Sequence, residues 1–259
     1  MMKLIVKADD WGSTPGVTDG IAKAITDGVV RDTSFLTNSV HFDYAVKKAD
    51  EIGLDALGLH LTLTYGKAIL GHDIVPSITK EDGSFYRKPE QIPASMSVNE
   101  IEQEFRAQLK QFKESGKTLT HIDSHHHVHT LLGPEVFEVV MKIASEENVP
   151  VRKPLTEMIE IAQRHNIRLT DALDLGFGGG KNEDKSTVNR FLGILDKYVD
   201  SDQILEVMCH PGIVDDYLIE ISGFTTLREV ELQTLTSAAV LNYVRDHNID
   251  LVNFLAVPK

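Results

Sequence analysis

An α/β fold built on a parallel sheet is the architecture that this sequence predicts. Short apolar, β-rich runs alternate with helix-periodic runs along nearly the whole chain. No linker, charge block or internal repeat divides it, and its 259 residues suit one large domain, a size that α/β barrels commonly use. About seven βα units in series imply a parallel sheet with helices packed outside it, as a closed barrel or an open doubly wound sheet. Residues 1–259 are accordingly read as a single domain.

The elements are taken in order. Leu4–Ala8 reads as a buried strand, and Thr14-Pro15-Gly16 as an N-cap with proline opening a helix to about Gly28. Ser34–Val40 is a second strand, Asp43–Ile52 a helix and Leu57–Leu63 a third strand. Residues 64–95, with Gly66, Gly71, Pro76, Gly83, Pro89 and Pro93, form one long excursion of the kind that carries function or small elements of its own. Ser97–Ser115 is a helix ended by Gly116, His121–His125 a strand, Pro134–Glu147 a helix and Val149–Arg152 a short strand. Thr156–His165 reads as helix, Arg168–Asp174 as extended chain and Gly176–Gly180 as a flexible loop. Ser186–Val199 is helical, Ile204–Cys209 a strand, Leu227–His247 one long helix and Leu251–Leu255 the last strand.

Composition narrows the function. With 42% hydrophobic and 25% charged residues the chain is an ordinary globular one. Lys+Arg is 26 and Asp+Glu is 39, a net charge of −13 that repels phosphate backbones and anionic lipid. Nucleic acid and membranes are therefore poor partners, and a neutral or cationic small substrate fits better. The single cysteine, Cys209, rules out a disulfide framework and a cysteine-rich zinc site. The apolar start is too short for a signal segment and no run reaches a membrane span, so the expected compartment is the cytoplasm.

In parallel α/β folds ligands gather beyond the C-terminal ends of the strands, where this chain puts its acids and imidazoles. Asp9-Asp10 closes the first strand; one acid can bind a metal while its neighbour takes a proton, although a capped turn would also use Asp. His121-Ile122-Asp123-Ser124-His125-His126-His127-Val128-His129 holds five of the eleven histidines. Strand alternation would put Asp123, His125, His127 and His129 on one face and His126 opposite. His125 and His129 would then lie about 13 Å apart, too far for one ion unless the chain bends. A metal site with supporting partners explains this run better than a surface cluster does. His60 lies in an apolar strand, where it is a buried structural residue or a ligand. Glu206 and His210 alternate to one face, so Glu206 can orient and protonate His210. Trp11 is either core or a sugar-stacking platform. Neither a phosphate loop, a dinucleotide fingerprint nor a serine elbow is present, and Cys209 faces away from His210.

These pieces resemble the YdjC-like (ChbG-type) carbohydrate deacetylase family. The match rests on Ala8-Asp9-Asp10-Trp11-Gly12, Pro15-Gly16-Val17, Gly58-Leu59-His60-Leu61, the His121–His129 run and Glu206-Val207-Met208-Cys209-His210-Pro211, in family order. The resemblance implies an irregular (β/α) barrel that removes N-acetyl groups from amino sugars or chitooligosaccharides with one divalent ion, commonly Mg²⁺. It implies Asp10, His60 and His125 as metal ligands and Asp9 as general base. Asp-Trp stands here where Asp-Phe is more usual. Two imidazoles suit Zn²⁺, Mn²⁺ or Co²⁺ better than Mg²⁺. His210 is read as the acid with His127 as its rival, and Trp11, Asp123 and Glu206 as substrate-binding residues. The implied partner is a small acetylated sugar, and a homodimer is compatible with the reading. Two other classes stand against it: a different metal-dependent barrel hydrolase acting on a phosphoester or cyclic amide, and an inactive sugar- or metal-binding protein.

Overall fold

The computed structural model describes residues 1–154, 156–178 and 183–258. In chain order the elements are β1 (Lys3–Trp11), α1 (Pro15–Thr26), β2 (Asp32–Phe35), α2 (Phe42–Glu51) and β3 (Ala56–Leu61). Then come α3 (Val98–Glu114), β4 (Thr118–Ser124), α4 (Val128–Leu131), α5 (Pro134–Glu147) and α6 (Ile159–Arg164). The chain continues with β5 (Ala172–Asp174), α7 (Val188–Leu195), β6 (Ile204–Cys209), α8 (Asp216–Ile221), α9 (Thr226–Leu235), α10 (Ala238–Asp246) and β7 (Asp250–Leu251). The fold is α/β, with a central, mostly parallel β-sheet and flanking helices. The ladders show the parallel sheet; the irregular barrel is a finer expectation that they do not reach.

The chain divides into two compact units. The first comprises Met1–Ser34, Asp43–Leu54 and Thr170–Pro258. In it β1 runs parallel to β6, from Lys3 opposite Ile204 to Ala8 opposite Cys209, and β5 pairs parallel with β6. The start of β1 also pairs with β7. Thr14 caps α1 by accepting from the Val17 amide, with Pro15 in the first turn. Ile5, Ile204, Phe254 and Val257 form an apolar cluster at the N-terminal end of these strands.

The second unit contains Phe35–Phe42 and Asp55–Leu169. Here β3 runs parallel to β4, with a register shift between Leu57 and Leu59. Ser97 caps α3, whose Ile101, Phe105, Leu109 and Phe112 form one buried stripe at helical spacing. The 64–95 excursion has short antiparallel bridges, Lys67 with Ser84 and Thr79 with Phe85. Buried Glu104 of α3 fastens it by accepting from the Ile69 and Leu70 amides.

Several sequence expectations change. The strand expected over Ser34–Val40 ends at Phe35, because a turn closes with the Ser39 amide donating to Leu36 O. Val149–Arg152 supplies only a single bridge, Ile122 with Val151. The helix expected over Leu227–His247 is two, α9 and α10: Ser237 caps the second by accepting from the Val240 amide. The last strand keeps only Asp250–Leu251, and Phe254–Ala256 is a 3₁₀ turn. Helix α8, begun by an Asp215 cap, has no counterpart among the expected elements. Of the glycine loop, Gly179 and Gly180 lie outside the described residues.

Candidate metal centre

In the first unit the two acids leave the strand end in different directions. Asp10 has φ of 76°, a left-handed conformation uncommon for anything but glycine, asparagine and aspartate, which turns its carboxylate away from that of Asp9. Asp9 Oδ1 accepts from Lys7 Nζ at 2.7 Å, and Lys7 Nζ also meets Ser34 Oγ at 2.5 Å. The other oxygen, Oδ2, lies 3.9 Å from His210 Nε2. Asp10 Oδ2 is held by Arg228 Nη2 at 2.6 Å. Glu231, one helical turn beyond Arg228 on α9, accepts from the His210 backbone amide at 2.5 Å. Two buried charges of one helix thus fix both strand ends. Gly178 has φ of +66°, and a Cβ there would sit 2.4 Å from Glu231 Oε1, so this position of the glycine loop is packed rather than slack.

In the second unit His60 Nδ1 is 2.7 Å from Asp123 Oδ1, and Arg152 Nη1 lies 3.1 Å from Asp123 Oδ2. With Nδ1 engaged, Nε2 of His60 is the nitrogen that can meet a metal ion. Strand β4 stops at Ser124, and the chain bends at once into a 3₁₀ turn and α4. His126 and His127 take positive φ of 50° and 52° there. The strand alternation expected through His129 therefore fails, and the five histidines diverge. His125 meets the His60 ring edge-on at 5.7 Å between centroids. His126 packs against His125 and bonds Thr64 Oγ1 through Nδ1. His127 is half-buried, 6.4 Å from the His129 ring. His129 is buried beside Phe137 and bonds Ser124 Oγ; burial, with smaller electrostatic contributions, pushes its pKa down to about 3. His121 is structural too, since it fills the space left by Gly58, where a Cβ would lie 2.1 Å from its ring.

Asp10, His60 and His125 make one set of side chains that could hold a metal ion, and Asp9, His60 and Asp123 another. The first fits a divalent cation better. In the second, Asp123 already serves His60 Nδ1 and Arg152, and Asp9 serves Lys7. Trp11, Asp123 and Glu206, expected to meet substrate, are all 0% exposed. Trp11 donates its indole N–H to Ala45 O, which makes it a core residue with no face for a sugar. Asp123 orients a histidine instead. Glu206, opposite Ile5, lies inside the sheet; burial foremost, together with the charge of Glu206, raises the carboxyl of Asp32 to about 7.

Sequence reasoning missed Lys7, Arg152, Arg228 and Glu231. Only Lys7 carried a signal, a lone cation inside the apolar run Leu4–Ala8, which burial obliges to find an acid.

The family model for YdjC-like proteins matches residues 3–246. The chain belongs to that family. This YdjC-like protein is 38% identical over 254 residues to a carbohydrate deacetylase of Brevibacillus brevis, covering 98% of each chain. It is 37% identical to a carbohydrate deacetylase of Oceanobacillus iheyensis, covering 94% of this chain and all of the relative. Among solved structures, that of a candidate cellobiose-phosphate cleavage protein from Enterococcus faecalis superimposes with a TM-score of 0.91 at 32% identity, over 98% of both chains. Among the described residues no helix is long and apolar enough to cross a membrane.

Proposed function

We propose that this YdjC-like protein is a metal-dependent carbohydrate deacetylase that hydrolyses the N-acetyl group of amino sugars or chitooligosaccharides. The observation that carries the reading is the buried hydrogen bond from Asp123 to His60 Nδ1, the arrangement by which proteins orient an imidazole toward a metal. In this reading Asp10, His60 and His125 hold one divalent cation. Two imidazoles and one carboxylate are a donor set suited to Zn²⁺, Mn²⁺ or Co²⁺, while the family points to Mg²⁺. Bound there, the cation would supply Lewis acidity to the acetyl carbonyl and acidify a water molecule.

The chain's own residues supply the proton transfers. Asp9, its Oδ1 tied to Lys7, presents Oδ2 as the base that takes a proton from the attacking water. His210, whose Nε2 lies 3.9 Å from that oxygen and whose side chain is 19% exposed, gives a proton to the departing nitrogen. His127 is the rival acid. A net charge of −13 suits a neutral sugar and calls for no nucleic acid or membrane, with the cytoplasm as the compartment.

Both deacetylase relatives support the reading, while the Enterococcus protein is described by a phosphorylated disaccharide, so the test reads both products. Metal-loaded protein is incubated with acetylated mono- and disaccharides and followed by mass spectrometry, with p-nitrophenyl phosphate in parallel. Loss of one acetyl group without phosphate release is the expected result. Phosphate release without acetate would replace this reading with a phosphoesterase.

A further inference from the structure

The loop between α8 and α9 carries a feature that the proton-transfer scheme does not use. Phe224 is half-buried and meets the ring of His210 edge-on, 5.6 Å between centroids at an interplanar angle of 66°. The guanidinium of Arg228 sits over the same ring at 5.4 Å, and Arg228 Nε donates to Phe224 O. The Phe224 amide donates to Ser222 Oγ at 3.0 Å. Main chain and ring are therefore both fixed, and the residue keeps exposed surface beside the imidazole assigned to the leaving nitrogen. A folded chain has little reason to brace a partly exposed aromatic so firmly for stability alone. A binding site does, because a ring already held in place costs little to order when a ligand arrives.

We infer that Phe224 is the aromatic platform against which the sugar ring of the substrate stacks, the role that buried Trp11 is unable to fill. The inference rests on the deacetylase reading for the identity of the substrate. Sugar rings present a face of C–H bonds that packs on an aromatic face. The electropositive Arg228 beneath the ring anchors the platform without placing a charge against the neutral ligand. In this arrangement Phe224 sets which ring is accepted, and His210 next to it delivers the proton.

The test compares Phe224→Leu and Phe224→Tyr with the unaltered protein, each metal-loaded, using N-acetylglucosamine and its β-1,4-linked dimer. Acetate release gives kcat and KM, and saturation-transfer NMR with the same sugars gives binding independently of turnover. Stacking predicts that Leu raises KM and weakens binding by about tenfold, moving KM more than kcat, while Tyr stays within about twofold. A residue that only fills space would tolerate Leu at least as well as Tyr, and that outcome overturns the inference. Acetate release with KM unmoved by Leu overturns the platform and leaves the deacetylase reading standing. Sugar binding lost in the Leu variant, in a protein that releases no acetate, sinks the deacetylase reading and keeps the platform. Absence of both binding and acetate release sinks the two together.

Discussion

Replacing Asp123 with asparagine probes the buried centre of the second unit most sharply. The carboxylate is 0% exposed, accepts from His60 Nδ1 at 2.7 Å and faces Arg152, itself 1% exposed, at 3.1 Å. Asparagine keeps the volume but removes the charge, so the Arg152 guanidinium loses this counter-charge in a site that water does not reach. Breaking such a pair from one side costs about 3–5 kcal/mol. For a chain of this size that is a fall in Tm of roughly 6–12 °C, taking two-state unfolding. The amide also no longer fixes the His60 tautomer, and loss of such a partner lowers metal affinity by about 10–100-fold. Differential scanning calorimetry of the metal-free protein reads the first effect, and titration calorimetry with Zn²⁺ or Mn²⁺ the second. A Tm within about 2 °C of the parent, by the same scaling, would show that Arg152 does not depend on Asp123. Unchanged metal affinity would remove His60 from the ligand set.

Three further outcomes are set by the geometry. Asp9→Asn and His210→Ala should bind metal with normal stoichiometry, yet each should lose about 10²–10⁴-fold in kcat, the range for general acid–base catalysis; normal turnover in either would reassign that proton transfer, to His127 in the second case. His129 has a folded-state pKa of about 3 against an ordinary value of 6.5, so the unfolded chain binds more protons between those limits. Stability from this group is complete above about pH 6.5 and falls on acidification toward about 3 by at most about 1.4 kcal/mol per pH unit; denaturant titrations across that range should show a shallower dependence in His129→Gln. Gly58→Ala forces a Cβ to within 2.1 Å of the His121 ring and should cost about 1–3 kcal/mol. Adding His121→Ala should relieve part of that cost, and strictly additive effects in the cycle would show that the clash is not its source.

Much of the fold was legible because its signals are local. The Thr14-Pro15 helix start, the Pro134–Glu147 helix and the Ile204–Cys209 strand depend on capping and hydrophobic spacing within a few residues. The errors come where a single polar residue overrides a period. Ser237 caps a new helix inside a run whose apolar spacing continues, and the strand through His125 stops because His126 and His127 turn left-handed, which alternation does not foresee. At the site, the acids and imidazoles stood out because they cluster at strand ends. Their buried partners did not. Arg228 and Glu231 sit in a helix of mixed composition where any charge reads as solvated, and Arg152 lies in a short extended segment; what commits them is a contact 29 to 218 residues away in sequence.

Helix α9 has a consequence for anyone who would remodel this protein. Arg228 and Glu231 stand three residues apart on it, one gripping Asp10 beyond β1 and the other the amide of His210 beyond β6. Each residue added ahead of an α-helix turns the helix by about 100° about its axis and advances it by about 1.5 Å. Loop 222–225 therefore acts as a phase setting: one residue inserted or deleted there swings both grips off their targets together, although the loop itself touches neither carboxylate. Sequence change in that loop is then tolerable in kind but not in number. Substrate range can be tuned there by substitution, whereas length changes belong in segments that do not feed this helix.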